Sequence, residues 1–182
     1  MTHNTMSISH FPIPVLGFAA FSGTGKTSML KKLIPLLKAK GLHIGLVKQS
    51  HHDFEIDQPG KDSYELRKAG ATQTLITSPY RWALMHEHET PAEIPLVEIL
   101  SKMDVTVLDI VLIEGFKNTS FPKIELNRVD LGKPLLYPDD DSIIALATDS
   151  QHNKHNIPVL DINNVEGILN YIYSYISGTK LP

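Results

Sequence analysis

The octapeptide Ala20-Phe21-Ser22-Gly23-Thr24-Gly25-Lys26-Thr27 carries the clearest chemistry in the chain. Gly23 and Gly25 can turn successive backbone N–H groups toward one anion. A helix beginning at Lys26 adds the positive end of its dipole. The Lys26 ammonium then reaches β- and γ-phosphates, and the Thr27 hydroxyl offers a hard oxygen to Mg2+. The spacing is that of a phosphate-binding loop, G-x-x-x-x-G-K-[ST], with Ala20 at the position of the first glycine. An L-residue is acceptable there when its φ stays negative, as at a strand end. Ser22, Gly23, Thr24, Gly25, Lys26, Thr27 and Ser28 are therefore the candidate phosphate cradle.

Such a loop is completed by an acidic residue at the end of a neighbouring strand. "DIVLIEG" offers Glu114 there, directly after an apolar run. A further candidate segment is "KQSHHDFEIDQPGKDS", which leaves the C-terminal end of another predicted strand, the edge where parallel α/β sheets bind ligands. It carries His51, His52, Asp53, Asp57 and Asp62. Either Asp57 or Asp53 suits a metal-bound water or an attacking water. His51 and His52 are adjacent in an extended segment, so they point opposite ways and make poor co-ligands. "HEHE" (His86 to Glu89) reads as a solvated strand end and "YPDDDS" as an acidic turn. "NKHN" (Asn153 to Asn156) imitates a guanine-reading motif but lacks its carboxylate. Asp149, directly after "ALAT", fits either a base-reading carboxylate or a turn cap.

The elements that must position these residues follow from hydrophobic periodicity. "PVLGFAAF", "HIGLVKQ", "LDIVLIEG", "SIIALATD" and "IPVLDI" read as strands, several of them apolar enough to be buried on both faces. Lys26 to Lys40 has helical spacing at Leu30, Leu33, Ile34 and Leu37, with Pro35 a potential kink and Gly41 a stop. "DSYELRKAGA" reads as a short helix, Pro95 to Lys102 as a weak one, and "VEGILNYIYSYI" as an amphipathic closing helix. "QTLITS" and "RWALMHE" read as a hairpin, and "PKIELNR" alternates like a half-exposed strand. Strands alternating with helices predict an α/β fold, a mainly parallel sheet flanked by helices in one domain over 1–182. Two strand regions, about 79–90 and 120–130, fall outside the core alternation. Their exposed edges would suit pairing with a second copy, with Trp82 and Met85 as candidate anchors.

Composition narrows the class. With 182 residues and a net charge of −3, the chain has no basic excess for nucleic acid. It has no cysteine, which fits a reducing, cytoplasmic setting. "MTHNTMSISHFP" lacks the apolar core of a signal peptide, and no run approaches the roughly 18 apolar residues of a membrane span.

Taken together, "FAAFSGTGKTSMLKKLIPLL", "GLVKQSHHDFEIDQPGKDSYELRKAGATQTLI", "RWALM", "LDIVLIEGFK" and "LDINNVEGI" resemble the MobB family of molybdopterin-guanine dinucleotide biosynthesis adaptor proteins. The second of these stretches is far more specific than a phosphate loop alone. Gln49-Ser50 departs from the family's pattern, which has His-Thr before the two histidines. The resemblance implies a homodimeric P-loop protein that binds GTP and Mg2+ with at most weak GTPase activity. It implies assistance to a MobA-type guanylyltransferase, the enzyme that joins GMP to molybdopterin, and so proximity to molybdopterin itself. By matching motif, Ser22 to Ser28 would hold phosphate. Thr27, Asp57 and Glu114 would serve the metal and catalysis, and Lys61 would lie near the γ-phosphate. Asp149 as guanine reader is a placement from its position after a strand. The competing reading is a P-loop small-molecule kinase or ATPase, which usually needs a lid with arginines. The only arginines are Arg67, Arg81 and Arg128, none in an obvious lid.

Overall fold

A computed structural model describes residues 8–50, 52–150 and 155–178. The chain divides into two compact units, one of residues 1–49 and 95–182, the other of residues 50–94.

The first unit is a six-stranded sheet in the order β2-β5-β1-β6-β7-β8. Its strands are β1 (Val15–Ala19), β2 (Ile44–Lys48), β5 (Ile110–Glu114), β6 (Lys123–Asn127), β7 (Ile143–Thr148) and β8 (Val159–Asp161). Every pairing is parallel. The helices are α1 (Lys26–Ala39), α3 (Leu96–Leu100) and α4 (Val165–Ile176). Leu16, Phe18, Leu112, Ile124 and Ala145 meet Leu33 and Leu37 of α1 and Ile168 and Ile172 of α4 in one core. Val15, Val47, Val111 and Ile113 meet Leu96, Leu100 and Phe121 in the other. Burial on both faces explains why β1 and β5 read as unbroken apolar runs. Pro35 lies inside α1 without ending it.

The expectation for residues 120–130 is corrected here. β6 is an interior strand, paired to β1 and to β7, and all five of its residues are buried. It has no free edge to offer a second chain. Its alternation is real, but the polar face is covered rather than solvated. Lys123 Nζ donates to Asp140 Oδ2 at 3.1 Å and to Ser142 Oγ at 2.6 Å. Glu125 accepts the backbone N–H groups of Leu136 and Tyr137, each at 2.9 Å. Asn127 Oδ1 accepts from the Thr148 hydroxyl at 3.3 Å. Buried polar groups survive in a core only when paired in this way. Burial pushes the Glu125 carboxyl above its usual range, against the pull of the two N–H groups.

The second unit holds α2 (Asp62–Lys68) and an antiparallel hairpin of β3 (Gln73–Ser78) and β4 (Arg81–His86). Leu75 faces Leu84 across the hairpin, and Thr77 faces Trp82. On that face Leu75, Leu84 and Trp82 are all exposed.

Candidate functional site

The loop between β1 and α1 is built by its glycines. Gly25 precedes the helix with φ 96°, and Gly23 has φ 86°. Both angles lie in the left-handed region that disfavours side chains. Thr24 is buried and ties the turn together, its hydroxyl donating to the Phe21 carbonyl at 2.9 Å. Ala20 packs against the core at the strand end, where the first glycine of the pattern would stand. Lys26 opens the helix half-buried, and Ser22, Thr27 and Ser28 are exposed around the turn.

Glu114 ends β5, the strand beside β1, and its side chain is only 13% exposed. The Thr27 hydroxyl donates to Glu114 Oε1 at 3.4 Å. The same carboxylate oxygen lies 3.1 Å from Lys48 Nζ. Lys48 is the register partner of Glu114 on β2, and motif reading overlooked it. Its signal was two opposite charges, each ending a strand. A hydroxyl and one carboxylate are hard oxygen donors of the kind Mg2+ takes while retaining several waters, so the pair fits that ion.

Behind Glu114 the chain turns sharply. Gly115 has φ 112° and Phe116 φ 52°. A Cβ on Gly115 would lie 2.5 Å from Gln49 Cβ. The Gln49 side chain accepts the Phe116 N–H at 2.7 Å, and the Gln49 N–H donates to the Glu114 carbonyl at 2.8 Å. Gln49, noted in sequence as a departure, thus buttresses the acidic strand end.

Asp149 follows β7 at the same C-terminal sheet edge. Its Oδ1 accepts the Val129 N–H at 2.9 Å, and its Oδ2 accepts from Arg128 Nη1 at 3.2 Å. The Val129 amide, then Arg128, hold this carboxyl below the usual range against partial desolvation.

Asp57 and Lys61 belong to the second unit. Asp57 is buried under Arg67, with Oδ1 2.7 Å from Nη2 and Oδ2 3.4 Å from Nε. Arg67 also donates to Glu87 at 3.0 Å and to Glu55. Hydrogen bonding from Arg67 outweighs desolvation and lowers the Asp57 carboxyl. Lys61 is exposed and precedes α2. His52 and Asp53 are exposed. His51 lies outside the described residues, as do Asn153 and Lys154 of "NKHN". Among the described residues, no three His, Cys, Asp or Glu side chains form a group able to hold a metal ion. No described helix is long and apolar enough to cross a membrane.

Comparison with known proteins agrees with this geometry. The family model "Molybdopterin guanine dinucleotide synthesis protein B" matches residues 15–149. A molybdopterin-guanine dinucleotide biosynthesis adapter protein of Escherichia coli is 49% identical over 165 residues, covering 90% of this chain and 94% of that protein. Its Haemophilus influenzae counterpart is 39% identical, covering 90% of each chain. A crystal structure of molybdopterin-guanine biosynthesis protein B shares the fold with a TM-score of 0.68 at 23% identity, covering 88% of this chain and 99% of that one. A MobB homologue from Bacillus stearothermophilus gives 0.66 at 18%, covering 90% and 98%. With the phosphate loop, the six-stranded parallel sheet and these relatives in agreement, the chain belongs to the MobB family.

Proposed function

We propose that this chain is a GTP-binding adapter of molybdopterin-guanine dinucleotide biosynthesis, acting in the cytoplasm beside a MobA-type guanylyltransferase. The observation that carries the reading is the Thr27–Glu114 contact at the mouth of a glycine-built loop. In this reading the N–H groups of Ser22 to Ser28 and the Lys26 ammonium hold the phosphates. Thr27 and Glu114 hold Mg2+, which would supply charge neutralisation of the phosphates when bound. Lys48, 3.1 Å from Glu114 Oε1, holds that carboxylate beside Thr27. In this reading Asp149, directly after β7, reads the base. Asp57 is engaged by Arg67, so any metal or catalytic role for it requires exchange of that partner. This fits a chain that hydrolyses GTP weakly at most.

The adapter would act as a homodimer through the exposed hairpin face of Leu75, Trp82 and Leu84, since an isolated two-stranded sheet gains stability from further packing. A kinase or ATPase reading gains nothing from the arginines: Arg67 is buried among three carboxylates, and Arg128 is held at Asp149. Calorimetric titration with GTP–Mg2+ and ATP–Mg2+ tests the proposal, with Lys26→Ala as control. GTP binding that Lys26→Ala abolishes is expected. Unchanged affinity in that variant overturns the phosphate loop, and a preference for ATP overturns the guanine assignment.

A further inference from the structure

Beside the phosphate loop, two neighbouring strand ends bring a cation and an anion together. Asn127 of β6 and Thr148 of β7 are register partners, so Arg128 and Asp149 leave adjacent strands at one level. Arg128 Nη1 donates to Asp149 Oδ2 and to Asn163 Oδ1, both at 3.2 Å. Its Nη2 and Nε make no hydrogen bond among the described residues. Both side chains remain reachable, Arg128 37% and Asp149 25% exposed. The turn that follows, Val129–Leu131, runs alongside the phosphate loop: Leu131 Cδ2 would lie 4.0 Å from a Cβ on Gly23, and Lys133 Nζ is 6.0 Å from the Phe21 ring centroid. Val129 and Leu131 are exposed there. Apolar side chains, a carboxylate and a guanidinium therefore gather next to the phosphate cradle, a combination suited to a nucleoside.

We propose that Arg128 selects the base, donating from its unengaged guanidinium N–H groups to O6 of a guanine whose N1–H and 2-amino group are accepted by Asp149. The inference rests on the nucleotide reading above. Guanine presents one acceptor followed by two donors along this edge, and the Arg128–Asp149 pair presents the complement. Adenine presents a donor at C6 and a lone pair at N1, so each meets a group of its own polarity. Each Asp149 oxygen keeps a second lone pair beyond the Val129 and Arg128 bonds. Asn163 and Asp149 fix the guanidinium plane before the ligand arrives, so little side-chain freedom is lost on binding.

Calorimetric titration of the whole chain with the Mg2+ complexes of GTP, ITP and ATP tests this in wild type, Arg128→Met and Arg128→Lys. Arg128→Met is expected to weaken GTP and ITP by at least about tenfold and ATP by less than about twofold, with partial recovery in Arg128→Lys. Equal losses for all three nucleotides, or undiminished GTP binding, overturn the proposal. A probe independent of any variant is 2-aminopurine riboside triphosphate, which lacks O6 and the N1 proton. The wild-type chain is expected to bind it at least about tenfold more weakly than GTP, and equal binding overturns the proposal. Wild type that binds GTP and ATP alike sinks the Arg128 assignment alone. Wild type that binds no triphosphate sinks the phosphate-loop reading with it.

Discussion

The hydroxyl of Thr27 and the carboxylate of Glu114, 87 residues apart in the chain, lie 3.4 Å apart at the C-terminal edge of the sheet. Parallel pairing of β1 with β5 brings them together, since Phe18 and Glu114 are register partners. Thr27→Ala and Glu114→Gln are each expected to weaken Mg2+-dependent GTP binding by about tenfold or more, roughly the loss of one charge-assisted contact. Titration with GTP in Mg2+ and in EDTA measures this. Equal binding by both variants in Mg2+ would remove Thr27 and Glu114 from the metal site.

Gly115 shapes the turn behind Glu114. Its φ of 112° and the 2.5 Å approach of an added Cβ to Gln49 leave no room for a side chain. Gly115→Ala is expected to destabilise the fold by about 1–3 kcal/mol through backbone strain and displacement of Gln49. A denaturation curve overlying the wild type would refute this.

Glu125 accepts from two amides that have no other acceptor among the described residues. In Glu125→Leu the N–H groups of Leu136 and Tyr137 lose their partner, at a cost of about 2–4 kcal/mol. Burial raises this carboxyl, so its ionisation opposes folding. That group favours stability below the ordinary carboxylate range and loses the advantage as pH rises through its raised value. Urea midpoints across pH 4–7 for Glu125→Gln and wild type measure the difference. The wild type is expected to decline more steeply over that interval.

Arg67 joins three segments of the second unit through Glu55, Asp57 and Glu87. Arg67→Met is expected to strip protection from the amides of Asp62–Lys68 in hydrogen exchange, because it leaves Asp57 buried and unpaired. The partners titrate with the opposite sign to Glu125. A hydrogen bond from Lys68 first, then one from Arg67, holds Glu55 low, and Arg67 holds Asp57 low. Their stabilisation is full above the ordinary carboxylate range and is lost as pH falls through the lowered values. Protection in wild type should therefore fall below about pH 4 and depend less on pH in Arg67→Met. Identical exchange in both proteins would show that Arg67 holds nothing.

The hairpin face is expected to carry self-association. Trp82→Lys with Leu84→Lys should leave the circular dichroism spectrum unchanged and yield a monomer in sedimentation equilibrium. A wild-type monomer would overturn the homodimer, and a variant that still dimerises would place the interface elsewhere.

Sequence alone determined the phosphate loop, the strands that frame it and the acidic residue across from it. Each depends on local signals: glycines at a fixed offset from a lysine, apolar runs long enough for a strand, a charge where the run ends. Family membership was equally legible, because "HHDFEIDQPGKDSYELRKAGA" is a long specific string. Strand position was not. "KIELN" alternates as a half-exposed strand does. Only the tertiary structure, by folding Leu136, Tyr137, Asp140 and Ser142 over it, made Lys123 and Glu125 interior residues. Likewise Lys48 meets Glu114, and Arg128 meets Asp149, through the register of parallel strands distant in sequence. Local pattern fixes which residues form a strand and which face they share. What covers a face, and which charges end up as neighbours, depends on long-range packing that no short window of sequence contains.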